Sequence, residues 1–290
     1  MSLLASPSSS YATALIQESV TKLKELNRGR YIMRITSVKK IGLVFAILTM
    51  VTIQTVKADI LFYYSAAILP SIIASNPAED TCPDPIVYNG TDYCPVTSTN
   101  GTGKVWLDRN LGAARVCTAL DDTACYGDYY QWGRNFDGHQ DSTSGTTDTQ
   151  APDVDNAGVD FITSSDTYDY DWAQVADGSG DIRVKNWSKT DGTSVCPTGY
   201  RVATEAELKA ETTEAGVASN ADAFNSFLKL PSAGYRNYSS GEVGHTGSWG
   251  YVWSASKANS NPRVLYFGSS VLDWSDDSRA NGRSVRCLRD

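Results

Sequence analysis

The chain has 290 residues, 41% of them apolar and 20% charged, which suits a globular protein with a real core. Its formal net charge of -8 hides an asymmetry: residues 1–58 hold eight basic and two acidic residues and carry +6, which leaves -14 for the remainder. So acidic a body argues against nucleic acid as a partner, since that binding rests on Lys and Arg at phosphates. The acid serves instead to keep a surface protein soluble.

Residues 1–58 read as an N-terminal extension and signal peptide. Arg34, Lys39 and Lys40 precede the apolar run IGLVFAILTMVTI, Ile41 to Ile53, and QTVKA follows with Val56 and Ala58 at signal-peptidase spacing. Met33 makes the more ordinary start for such a signal. The run is shorter than the roughly 20 apolar residues of a membrane span. A second apolar stretch, Ile60 to Ala74, is broken by Pro70, and without cleavage Ile41 to Ala74 would act as an uncleaved anchor. Either route implies export through the Sec pathway to the cell surface or medium, with membrane contact only through that segment. Residues 59–81 are a linker, and 82–290 are the body.

All six cysteines (Cys82, Cys94, Cys117, Cys125, Cys196 and Cys287) follow the signal, and export permits disulfides. Six cysteines allow 15 connectivities, which sequence alone does not resolve. Spacing favours closing CTALDDTAC between Cys117 and Cys125, and CPDPIVYNGTDYC between Cys82 and Cys94. Cys196 is then left with Cys287, a bridge that the chain-entropy relation values at about 4.6 kcal/mol. Zinc is the weaker use, with no C-x-x-C pair and only two histidines, His139 and His245.

Within the body, GKVWLDRNLGAAR opens as a strand and ends in a turn, and YGDYYQWGRNFDG is aromatic and punctuated by glycine. His139 to Asp191 is a polar tract expected to be mostly loop. In CPTGYRVATEAELKAE, Thr204 and Glu207 have capping-box spacing, which predicts a helix from Glu205 that stops by Gly216. NADAFNSFLKL predicts a second helix with Ala223, Phe224, Phe227 and Leu228 on one face, ended by Pro231. GYVWSAS, RVLYFGSS and RSVRCLRD then read as short strands between polar turns. Strand, loops, two helices and strands make an α+β order.

The ordered set VWLDRNLGA, YGDYYQWGR, CPTGYRVATEAEL, LPSAGYR, GYVWSAS, LYFGSS and GRSVRCLRD resembles the Fibrobacter succinogenes major paralogous (FISUMP) domain over about Cys82 to Asp290. That secreted bacterial family resembles the C-type-lectin-like fold. The resemblance implies two helices flanking small twisted antiparallel sheets, long loops and disulfide staples. It also implies domain ends joined as strands, with Cys287 tied to the segment at Cys196.

No catalytic group stands out. His139 and His245 lack convincing partners and read as surface histidines. Asp166, Asp169, Asp171, Asp177 and Asp181 offer carboxylate pairs, but in so acidic a tract they read as a solvated face. The formylglycine-generating relatives of this fold use a redox cysteine site, whereas these cysteines read as staples. The chain is therefore expected not to be an enzyme and to need no cofactor. Calcium is the one metal that the residues raise. DVDNAGVD, Asp153 to Asp160, has oxygen ligands without EF-hand spacing. Asn261-Pro262-Arg263 and Trp274-Ser275-Asp276 stand where sugar-binding relatives place their calcium triplets, with a cation in place of the first acid.

Lys257 to Arg283 reads as a display surface of Ser, Asn, Asp and Arg with one Trp, a mixture comparable to antibody paratopes. The candidate ligand-binding residues are Asn259, Asn261, Arg263, Ser269, Trp274, Ser275, Asp276, Asp277 and Asn281. Tyr266 reads as core and Trp274 as exposed. Retroelement-diversified C-type-lectin-like proteins vary such adenine-coded positions, so the resemblance implies a receptor or adhesin with a protein or glycan ligand. The alternatives are a structural envelope component and a polysaccharide-active enzyme. Trp106, Trp132, Trp249 and Trp253 read as packing residues, and Arg109, Arg134 and Arg201 as makers of internal hydrogen bonds or cation–π contacts.

Overall fold

A computed structural model describes residues 82–99, 101–164, 170–174 and 177–290. The expected signal, anchor and linker lie outside the described residues, as do Asp166 and Asp169. Among the described residues no helix is long and apolar enough to cross a membrane.

Strands β1 (Ile86–Tyr88) and β2 (Thr91–Tyr93) form a hairpin. Its turn is Asn89-Gly90, with φ of 48° and 80°, the left-handed pair that a two-residue hairpin loop favours. β3 (Pro95–Thr97) pairs with β4 (Val105–Leu107), and β4 pairs with the last strand, β15 (Cys287–Arg289). β15 also takes β8 (Arg201–Val202) on its other edge. The C-terminal strand is therefore internal to its sheet, with Leu288 opposite both Trp106 and Arg201.

A second antiparallel sheet has the order β10-β9-β14-β5, from β5 (Tyr130–Gln131), β9 (Tyr235–Arg236), β10 (Val243–Gly244) and β14 (Gly282–Arg283). A third is a meander of β11 (Gly250–Ala258), β12 (Asn261–Gly268) and β13 (Val271–Asp276). β6 (Thr146–Thr147) and β7 (Phe161–Ile162) make a short parallel pair. The described helices are α1 (Asp181–Trp187), α2 (Glu205–Glu211) and α3 (Asn220–Asn225). The result is an α+β fold of short helices, several small antiparallel sheets and long loops, with two disulfides.

α2 starts where its capping box predicts: Thr204 Oγ1 accepts from the Glu207 N–H, and the Glu207 carboxylate accepts from the Thr204 N–H. It ends at Glu211, before Gly216. α3 is shorter than its sequence face suggests and ends at Asn225; Leu228 and Leu230 reach the core from irregular chain, with Lys229 left-handed at φ 47°. α1 falls in the tract read as loop. Its buried residues, Arg183, Asn186 and Trp187, have helical spacing, but two are polar and hide the period. Its first turn is held by Asp177, whose carboxylate accepts from the N–H groups of Ile182 and Arg183.

β11 and β12 separate two cores, as strand alternation requires. Val252, Leu265 and Phe267 face Leu208 of α2 and Ala223 of α3, while Trp253, Val264 and Ala255 face Trp132 and Trp187. The cross-strand pairs Val252–Leu265 and Trp253–Val264 keep each set on its own face. Trp106, Trp132 and Trp253 are fully buried, and Trp249 is half-buried.

Cys117–Cys125 and Cys196–Cys287 are bridged. The third expected bridge is not formed: Cys82 and Cys94 are free thiols at the base of the β1–β2 hairpin. Burial and the neighbouring Cys82 thiol push Cys94 up to about 12. Beside Cys287, Arg286 is fully buried and donates to the carbonyls of Leu107 and Leu228, tying the tail to the end of β4 and to the chain after α3.

Candidate functional site

The expected display loop LDWSDD is instead a strand, β13, paired residue for residue with β12. Alternation along β13 divides the candidate residues between two faces. Arg263, Trp274 and Asp276 lie on the side of α2. Arg263 forks onto the Glu205 carboxylate at 3.0 and 3.1 Å and donates to Asp276 at 2.7 Å. Trp274 is half-buried rather than exposed, with its ring against the α2 core, Lys209 Nζ 5.5 Å from its centroid and Nε1 donating to Thr213.

Asn281 is buried and bonded to Asp277 and to the Tyr238 N–H, and Asp277 is clamped by Arg283. Both belong to the interior network rather than to a free surface. Asn259, Asn261, Ser269 and Ser275 are exposed. Asn259 takes the left-handed position of the β11–β12 turn, at φ 54°.

The two calcium-like triplets do meet across the β12–β13 pairing, where Arg263 is opposite Asp276. The guanidinium occupies that carboxylate, so the donor set does not fit a calcium ion, which takes six to eight oxygens. Among the described residues no group of three or more His, Cys, Asp or Glu side chains could hold a metal ion.

The opposite face of the meander carries a feature of which the sequence reading noted only Trp249, as packing, and Tyr266, as core. Tyr251, Tyr266 and Asp273 stand in register across β11, β12 and β13. Trp249, two residues before Tyr251, stacks on it at 6.4 Å and 25° and lies 6.4 Å from Tyr266. Gly268 allows this: a Cβ there would come within 3.1 Å of the Trp249 ring. Tyr235 meets Tyr251 at 5.3 Å, and His245 meets Tyr235 at 5.3 Å. All four of the Tyr and Trp rings are half-buried, and His245 is exposed, as read.

Arg283 underlies the strip, with its guanidinium carbon 4.4 Å from the Tyr235 centroid and 4.1 Å from that of Tyr251. Asp277 holds Nε and Nη2, while Nη1 is buried without a hydrogen-bond partner. The strip can therefore offer flat ring faces, phenol hydroxyls and the Asp273 carboxylate to a ligand, with the Arg283 charge beneath the rings. The signal in the sequence was the alternation of Trp249, Tyr251 and Trp253. It reads equally well as core, and only the placement of partners separates the two uses.

The carboxylates of the polar tract are not all solvated. Asp171 and Asp177 are buried: Asp171 binds Arg183 at 2.7 Å and Arg279 at 2.8 Å, and Asp177 caps α1. Arg183 and Arg134 also lie over Trp172, at 4.8 and 5.7 Å. Asp181 is exposed and pairs with Lys257. Asp153 accepts from the Asp155 N–H and from Asn156 Nδ2. His139 is fully buried rather than at the surface. Its Nδ1–H donates to Asp137 at 2.6 Å and its Nε2 accepts from the Gln131 N–H at 3.0 Å. Burial lowers its pKa to about 4, with the Arg134 and Arg236 charges adding to the effect and Asp137 opposing it.

Comparison of the chain with protein-family models, with curated proteins and with solved structures finds no match.

Proposed function

We propose that this chain is an exported, non-enzymatic binding protein of the C-type-lectin-like kind, acting at the cell surface or in the medium. Its contact surface is the aromatic strip of Tyr235, Trp249, Tyr251 and Tyr266 with Arg283 beneath. The observation that carries this reading is the strip itself: four half-buried rings in contact, three of them on the meander and its approach and one on β9. A packing role would have covered the rings, as it covers Trp106, Trp132 and Trp253. Rings with one apolar and one polar end suit the apolar faces and hydroxyls of a glycan. The internal terminal strand and its Cys196–Cys287 tether support the lectin-like topology.

The test is a glycan array probed with the full chain, followed by titration of a hit against Trp249→Ala and Tyr266→Ala. Each variant should bind at least about tenfold more weakly with its circular dichroism unchanged, as central aromatic contacts do. An array without hits, or variants that bind as tightly as the parent, would remove the strip as a glycan site. Diversification by a retroelement belongs to the same proposal. A reverse-transcriptase gene and a near-repeat of codons 257–283, differing at adenines, beside the gene would support it.

A further inference from the structure

A second recess shares no residue with the strip. It is a cavity of about 220 Å³ between the β1–β2 hairpin and the segment around β5. Its lining includes four aromatic rings, Tyr88, Tyr93, Tyr130 and Phe136, and two carboxylates, Asp128 and Asp141, with no Lys, Arg or His. Three of the rings are fixed by their hydroxyls: Tyr88 donates to the Val195 carbonyl at 3.0 Å, Tyr93 accepts from the Gly112 N–H at 2.8 Å, and Tyr130 donates to Asp128 at 3.1 Å. Phe136 is 42% exposed despite its apolar ring.

Asp128 is the unusual member. It sits against Gly112, where any Cβ would come within 2.2 Å of its carboxyl carbon. Its carboxylate has the Tyr130 hydroxyl as a partner and, among the described residues, no cation. Burial pushes its pKa up to about 6, with the nearby Asp141 adding to the effect. Asp171 and Glu207 are each met by an Arg or Lys, and the buried Glu211 is met by the Ser98 and Thr102 hydroxyls and the Thr102 N–H, whereas Asp128 has the single Tyr130 hydroxyl. A desolvated carboxylate without a counter-charge is costly unless something supplies one.

We propose that this recess binds a small alkylammonium group, with Asp128 as its counter-charge and the Tyr88, Tyr93, Tyr130 and Phe136 rings as its cage. Ring faces attract a cation, and a desolvated setting strengthens that attraction. A metal ion fits the site poorly, because hard cations need six or more oxygen ligands and, among the described residues, no group of three or more His, Cys, Asp or Glu side chains could hold one. The volume is below that of pockets for drug-sized molecules, so a headgroup fits rather than a whole large ligand.

The experiment is calorimetric titration of the full chain with tetramethylammonium and with choline, beside the uncharged choline isostere 3,3-dimethylbutan-1-ol. Both cations should bind, and the isostere should bind at least about tenfold more weakly. Asp128→Asn should abolish binding. Because that change also alters the Tyr130 contact, Phe136→Ala at the exposed rim is the second variant, with a loss of about tenfold expected. Co-sedimentation with phosphatidylcholine vesicles separates the two sources of the group. Retention that Asp128→Asn loses assigns a lipid headgroup, and choline binding without retention assigns a soluble amine. Failure of both cations to bind, equal binding of the isostere, or unchanged binding by both variants would overturn the proposal.

Discussion

At the scale of single residues, the polar side chains of this domain do more than solvate it. His139 shows this best. Its two ring nitrogens are both satisfied in the neutral form, one donating to Asp137 and the other accepting from the Gln131 N–H. A second proton would have to enter a buried site and face a donor. In the unfolded chain the ring titrates near the usual 6.5, and in the fold near about 4. The native state therefore gains its full margin above pH 6.5 and loses it as pH falls from 6.5 toward 4. The linkage amounts to about 3 kcal/mol. Urea unfolding at pH 7.5 and at pH 4.5 should show this loss, and His139→Gln should flatten the difference; an unchanged slope in that variant would exclude His139 as its source. None of this was legible in the sequence, where the same histidine reads as a surface residue. Its burial goes with Arg236, which reaches the tract from 97 residues away and donates to the His139 carbonyl, and with the Tyr130 ring, 6.0 Å from its own.

At the scale of elements, legibility followed how local the cause was. The start of α2 was readable because a capping box is decided within four residues. Glu207 does further work there, binding Arg201 and Lys104, and these bonds hold its carboxyl well below the usual carboxylate range despite partial burial. Thr204→Ala should cost about 1 kcal/mol, measured as a lower urea midpoint with an unchanged m-value. A loss within error would mean that the ion pairs alone fix the helix start. By contrast, β13 was read as a loop because Asp273, Ser275 and Asp276 are poor strand formers. What makes it a strand is the free edge of β12 beside it and the seat for Leu272 and Trp274 against the α2 core.

At the scale of the whole molecule, the C-terminus closes the fold. β15 lies between β4 and β8, Cys287 bonds Cys196 across a separation of 91 residues, and Arg286 grips the carbonyls of Leu107 and Leu228. Cys287→Ser should lower stability by about 4.6 kcal/mol on the chain-entropy relation, seen as a drop in Tm that matches reduction of the parent. A variant as stable as the parent would show that strand pairing alone holds the tail. The sequence by itself determined the class of the fold, the start of α2 and two strands of the meander. Each of these follows from a short-range pattern, whereas the Cys196–Cys287 tether was reached by an elimination whose other member, Cys82–Cys94, is not formed. Only the tertiary structure decided which polar residues are interior, that β13 is a strand, and that rings read as core form an open strip. Those outcomes depend on which face of a strand meets another element, and that is settled by chain that is distant in sequence, such as α2 against β13 and Arg236 against His139.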